Sequence, residues 1–125
     1  MTYLALGSAL VLLAALAILQ MLLICGLPFG RFAWGGQHEV LPVKLRVGSA
    51  VSLVIYAAMA VLLLSRAGVM GGDATFVRIA TWALLGYFAV GIVMNAISRS
   101  RPERYTMTPV ATMLALATLV IALAD

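Results

Sequence analysis

Residues 2–30 read TYLALGSALVLLAALAILQMLLICGLPFG and contain no charged side chain. An α-helix rises about 1.5 Å per residue, so about 20 apolar residues are needed to cross the roughly 30 Å hydrocarbon core of a bilayer. This stretch is longer than that, and it is continuously apolar where a barrel strand would alternate. It therefore predicts a membrane-spanning helix over residues 3–27.

The composition of the whole chain agrees with a membrane protein. Of its 125 residues, 65% are hydrophobic and 10% are charged, whereas soluble domains are roughly 45–50% apolar and about 25% charged. A chain of this composition cannot cover itself with polar surface in water. A soluble enzyme, a disordered chain and, with one cysteine, a disulfide-linked secreted scaffold are thereby excluded.

Basic residues bracket three further uncharged windows, which predict spans over residues 47–65, 79–98 and 106–124. Each window is about as long as one crossing requires. We therefore predict an all-α integral membrane protein, a four-transmembrane-helix bundle forming a single membrane domain over residues 1–125. Pro109 is expected in the first turn of the last helix, where its missing N–H costs least.

The connection between the first two spans, residues 28–46, differs from the other connections. Phe32 and Trp34 are suited to the headgroup level of a membrane, and Gly35-Gly36 favours a bend. We expect an interfacial elbow between helices 1 and 2, lying on the membrane surface rather than projecting as a free loop.

The basic residues are distributed unevenly between the two sides of the predicted bundle. Connections one and three hold six of the eight Lys and Arg residues, and the opposite side holds Arg66 and Arg78. Loops rich in Lys and Arg face the cytoplasm. This distribution predicts a multi-pass protein of the plasma (inner) membrane with both termini outside the cytoplasm. Because the basic residues flank the spans, we expect them to face the lipid bilayer and not nucleic acid.

Uncharged polar residues recur on single faces of the spans, and nearly all lie in the half predicted to be cytoplasmic. Such faces either hydrogen-bond to neighbouring helices or line a cavity. The candidate cavity residues are Gln20, Ser49, Ser52, Tyr56, Tyr87, Asn95 and Ser98. The candidate rim residues at its mouth are Lys44, Arg46, Arg99, Arg101 and Arg104, with Arg31, His38 and Glu39 as further candidates in the elbow.

A cationic rim above a floor of hydroxyl and amide groups suits an anionic or lipidic guest entering from the cytoplasmic side. We therefore predict a carrier, channel-like or ligand-binding protein involved in transport. The alternative is an accessory or structural subunit of a larger membrane complex. Small residues along the spans favour a homo-oligomer or such a complex. One histidine and one cysteine are too few for a metal site, so we expect no metal, no cofactor and no catalytic residue.

One enzymatic alternative rests on three residues of the first connection, Arg31, Glu39 and Pro42. Their order resembles that of the membrane-bound glutathione-type transferases, which have four helices and an Arg- and Glu-bearing first cytoplasmic connection. The resemblance covers about a dozen residues. This chain has Gly36-Gln37-His38 where those enzymes have an Asn shortly before the Glu.

Overall fold

The computed structural model describes residues 1–71 and 74–124, and these fold into four long helices with no strand. The helices are α1 (Thr2–Ile24), α2 (Val43–Arg66), α3 (Ala74–Ala96) and α4 (Arg101–Leu123). Each contains 23 or 24 residues and is about 35 Å long at the usual helical rise. All four are long and apolar enough to span a membrane. The predicted all-α fold with four transmembrane helices is confirmed.

Three helices extend past the basic residues that bracket the uncharged windows, namely α2, α4 and α3, which begins at Ala74 and includes Arg78. α2 begins at Val43, so Lys44 and Arg46 lie in its first turns, and α4 begins at Arg101. Long basic side chains can lie along apolar surface while their charged ends reach water. A charged residue at a membrane boundary therefore does not end a helix.

Glycine residues in the left-handed conformation end α1 and α2. Gly26 has φ 86°, and its N–H donates to the carbonyl of Leu23, while the N–H of Leu27 donates to the carbonyl of Leu22. Gly68, also at φ 86°, ends α2 with the same pair of bonds. This motif satisfies carbonyl groups that would otherwise lack partners at a helix end, and it explains why α1 stops at Ile24 rather than at residue 27.

Pro109 lies inside α4 and not in its first turn as expected, because the helix already begins at Arg101. The N-cap is Ser100, whose Oγ accepts the N–H of Glu103 at 3.4 Å. An interior proline has no N–H to donate to the carbonyl four residues earlier, here that of Tyr105. The first half of α4 therefore lacks one backbone hydrogen bond.

The helices form a ring in which α1 packs against α2 and α4, and α3 packs closely against α4 and more loosely against α2. Short connections make sequential helices antiparallel, as in an up-down bundle. The buried apolar side chains concentrate in the half opposite the connection between α1 and α2, where Leu6, Leu13, Leu63, Leu84 and Ile121 pack together.

Arg66 fastens α2 to α4 at that packed end. Its guanidinium Nη2 donates to the carbonyl of Ala122 at 3.0 Å and to that of Ala124. The last carbonyls of a helix lack intrahelical partners and carry partial negative charge. The arginine therefore satisfies and neutralises the end of α4.

The connection between α1 and α2 folds into two 3-10 turns, Gly30–Phe32 and Trp34–Gly36. The N–H of Gly30 donates to the carbonyl of Glu39 at 2.8 Å, which closes the segment into a loop. We call residues 25–42 the elbow. It packs on α4, and its position at a membrane surface stays a prediction.

The elbow is tied to the connection between α3 and α4. Ser100 Oγ donates to the carbonyl of Arg31 at 2.5 Å. Three consecutive residues have left-handed backbone, with φ of 53° at Trp34, 75° at Gly35 and 70° at Gly36. A side chain at position 36 would overlap Ser100. Glycine is therefore required there for both conformation and space.

Gly30→Ala tests whether the elbow depends on close backbone contact. A Cβ at this position would overlap the carbonyl oxygen of His38 and lie 2.8 Å from that of Glu39. Because backbone cannot move aside cheaply, we expect a loss of about 1–3 kcal/mol in the free energy of unfolding, measured as a lower melting temperature. Gly7→Ala is the control, since nothing lies within 4 Å of a Cβ there. Equal stability of the two variants would contradict this account of the elbow.

Candidate functional site

A chamber of about 290 Å³ lies inside the half of the bundle nearest the elbow. All four helices and the elbow contribute side chains to its wall. Met59, Phe88 and Leu114 form its floor and belong to the buried core of the packed half. Its volume lies at the lower end of the range of about 300–1,000 Å³ for small-molecule sites. The chamber therefore suits one small chemical group.

Gln20 and Tyr56 form a polar pair between α1 and α2 in the chamber wall. Gln20 Nε2 donates to the Tyr56 hydroxyl at 3.2 Å. Gln20 is only 7% exposed, and its Oε1 is buried without a hydrogen-bond partner. An unpaired buried acceptor costs about 1–3 kcal/mol. It therefore marks a place where a hydrogen-bond donor is missing.

Three residues from α3 and the start of α4 complete the polar lining. Tyr87 is 61% exposed and also lines the chamber, which therefore reaches the surface of the bundle beside α3. Asn95 is held by a bond from Nδ2 to the carbonyl of Gly91 at 2.9 Å. Glu103 contributes a carboxylate, whose Oε2 accepts the Ser98 hydroxyl at 3.2 Å.

The elbow closes the end of the chamber with aromatic rings. Phe32 and Trp34 line it, and Trp34 Nε1 donates to Ser49 Oγ at 3.2 Å. The indole lies against Gly48, where a Cβ would come within 2.8 Å of the ring. These rings lie over the end of the bundle, and Trp34 keeps 41% of its surface exposed; the headgroup level to which the sequence assigns them stays a prediction.

The structure brings together four of the seven predicted cavity residues, namely Gln20, Tyr56, Tyr87 and Asn95. Ser49 is fully buried beneath Trp34. Ser52 donates to the carbonyl of Gly48 in its own helix at 3.1 Å, and Ser98 binds Glu103. These three serines hold the chamber wall and do not line it.

The predicted rim cations do not line the chamber. Arg46 Nε donates to the carbonyl of Leu41 at 2.9 Å. Arg104 Nη1 donates to the carbonyl of Ser98 at 3.5 Å, and its guanidinium lies 4.9 Å from the ring centre of Tyr105. The other predicted cations and loop residues are exposed outside the chamber: Arg31, His38, Glu39, Lys44, Arg99 and Arg101.

Glu103 is the lining residue that reasoning from the sequence missed, together with the elbow aromatics. In the sequence it lies among the basic residues between the last two predicted spans. The pattern Ser100-Arg101-Pro102-Glu103 is typical of the first turn of a helix, and it could have placed this carboxylate at the start of α4. The inward position of Trp34 has no comparable signal in the sequence, because it depends on the fold of the elbow.

An apolar groove of about 240 Å³ runs along the seam between α1 and α4, beside the chamber. Leu16, Leu19, Phe32, Met107 and Val110 line both spaces and form the wall between them. A second groove on the same seam shares Leu12 with the first and reaches Tyr3 near the opposite end of α1. The chamber is thus separated from a lipid-facing seam by one layer of side chains.

Comparison of the chain with protein-family models, curated proteins and solved structures gives no match. Among residues 1–71 and 74–124, no three His, Cys, Asp or Glu side chains lie close enough together to hold a metal ion. The chemistry of the chamber and the seam is therefore the basis for assigning a function.

Proposed function

We propose that this protein is a membrane carrier or ligand-binding protein for a lipidic guest, whose polar head lies in the chamber. The observation that carries the proposal is the unpartnered Oε1 of Gln20, buried in the wall of a chamber of about 290 Å³. A buried amide without its full set of hydrogen bonds is unfavourable in an apolar environment. A bound polar head group would supply the missing partner once the amide turns so that Oε1, which is buried in the wall, faces the chamber.

The seam between α1 and α4 explains why the guest is lipidic. A small polar head fills the chamber, and the apolar groove of about 240 Å³ beside it offers space for a hydrocarbon chain. Met107 forms part of the wall between the two spaces. Methionine is unbranched and adapts its shape readily, so its movement would join chamber and groove.

The packed half of the bundle argues for binding rather than an open pore. Met59, Phe88 and Leu114 close the floor of the chamber, and the core continues behind them to Leu63 and Ile121. Close-packed side chains leave no path for water or ions. Exchange of the guest therefore takes place at the elbow end or along the seam.

In this proposal the elbow end faces the cytoplasm and both termini lie outside. The support is the excess of Lys and Arg at that end, six against two. Exposed cations such as Lys44, Arg99 and Arg101 would meet the anionic lipids of the inner leaflet. They would attract the membrane surface rather than hold the guest, since none lines the chamber.

Single cysteines at the two ends test this orientation. In a Cys25→Ser background, we expect His38→Cys to resist a membrane-impermeant maleimide in intact cells and Gly71→Cys to react, because only the second would face outward. Both positions are exposed, so both should react after lysis, which is the control. Labelling of the elbow cysteine alone in intact cells would reverse the orientation.

Filling the chamber tests the proposed guest. The probe is dodecanol bearing a photoreactive diazirine in its chain, added to the protein in phosphatidylcholine nanodiscs. We expect cross-links to the groove residues of α1 and α4, and their loss in Gly91→Leu, because Gly91 lines the chamber and has free space around it. Gly86→Leu is the matched control, since it also lies in α3 with free space around it but does not line the chamber.

Two outcomes would count against the proposal. Cross-linking that is equal in wild type and Gly91→Leu would mean that the probe does not use the chamber. Native mass spectrometry of the same preparation reports any further chain. A second protein present in fixed stoichiometry, together with absence of probe binding, would favour the accessory-subunit alternative.

A further inference from the structure

Aromatic side chains form an unusually large part of the chamber wall. The chain has ten aromatic residues, and half of them line this one space: Phe32, Trp34, Tyr56, Tyr87 and Phe88. They come from α2, α3 and the elbow, so the cluster is not a single helical stripe. Tyr87 and Phe88 make an edge-to-face contact with ring centres 5.8 Å apart. Faces of aromatic rings attract cations, and several rings around one space are the usual arrangement for binding an ammonium group.

The chamber wall carries a negative charge, which also attracts an ammonium group. Glu103 is the one charged side chain among the described residues that line it. Its side chain accepts a hydrogen bond from a neutral donor, the Ser98 hydroxyl, and it makes no ion pair with any described cation. The neighbouring Arg104 is directed to the Ser98 carbonyl and the Tyr105 ring. A carboxylate in a space without cations favours a positively charged guest.

The hydrogen-bond acceptors of the wall also favour a positively charged guest. Gln20 is more than nine-tenths buried and offers an unpartnered acceptor, Oε1. Glu103 offers only acceptors when ionised. A carboxylate or phosphate head would add further acceptors beside these groups. A protonated amine would supply donors to Glu103, and to Gln20 once its amide turns toward the chamber, and would place its charge among the rings.

We propose that the polar head of the guest is an ammonium group, held by Glu103 and the aromatic rings of the chamber, and that its hydrocarbon chain lies in the α1–α4 seam. This inference rests on the proposed function and replaces the anionic head expected from the basic rim with a cationic one. The ligand class is a single-chain amphiphilic amine.

Competition against the photoreactive dodecanol distinguishes the head groups. The competitors are dodecylamine, dodecanol and dodecanoate, in phosphatidylcholine nanodiscs at about pH 8, where the amine is protonated and the acid is ionised. We expect dodecylamine to displace the probe at a concentration about tenfold lower than either of the others, since a charge-assisted hydrogen bond is worth about one factor of ten or more.

Two variants separate the chamber carboxylate from the general charge of the surface. Glu103→Gln keeps the size of the side chain and an acceptor for Ser98, and we expect it to remove the preference for the amine. Glu39→Gln makes the same change of charge at an exposed position of the elbow outside the chamber, and it should leave the preference intact.

Each negative result contradicts a different part of the proposal. Equal or stronger displacement by dodecanol or dodecanoate would overturn the ammonium head and leave the lipidic guest standing. A preference for the amine that persists in Glu103→Gln would also overturn the proposed role of the chamber. Absence of specific probe cross-linking to wild type would remove the proposed function itself.

Discussion

The indole of Trp34 lies against the bare backbone of Gly48, and its Nε1 donates to Ser49 Oγ at 3.2 Å. This contact holds the elbow over the end of the bundle, where it covers the chamber between the helices and leaves it open only beside α3. The left-handed backbone of Trp34 is unfavourable for a bulky residue, by about 1–3 kcal/mol. The buried serine, the absence of a side chain at position 48 and the turns on both sides offset that strain.

The two halves of the bundle, along the direction of the helices, are packed differently. The half remote from the elbow is filled by leucine, isoleucine and alanine and is fastened by Arg66 at the end of α4. The half near the elbow is hollow, and polar side chains form part of its lining. Packing in the first half stabilises the fold, which allows the second half to retain an unpaired amide oxygen at Gln20.

The spans could be predicted from the sequence because the thickness of a bilayer sets the length of an uncharged window. Helix ends were less predictable, since local caps such as Gly26 determine them. Spacing along a helix also identified Tyr56, Tyr87 and Asn95, because residues three or four apart share a face, and Gln20 was identified as a polar residue within the first span. It could not identify the part of the lining contributed by the elbow, whose position depends on contacts between segments distant in sequence, such as Ser100 with Arg31.

Pro109 interrupts the backbone hydrogen bonds of α4 between the part that carries Glu103 and Met107 and the part that packs in the core. Such an interruption is a common site of bending in helices. Bending at this point should therefore cost less than elsewhere in α4, for the two turns that precede the proline. A tightening of the chamber around its contents would then leave the remote half of the bundle undisturbed.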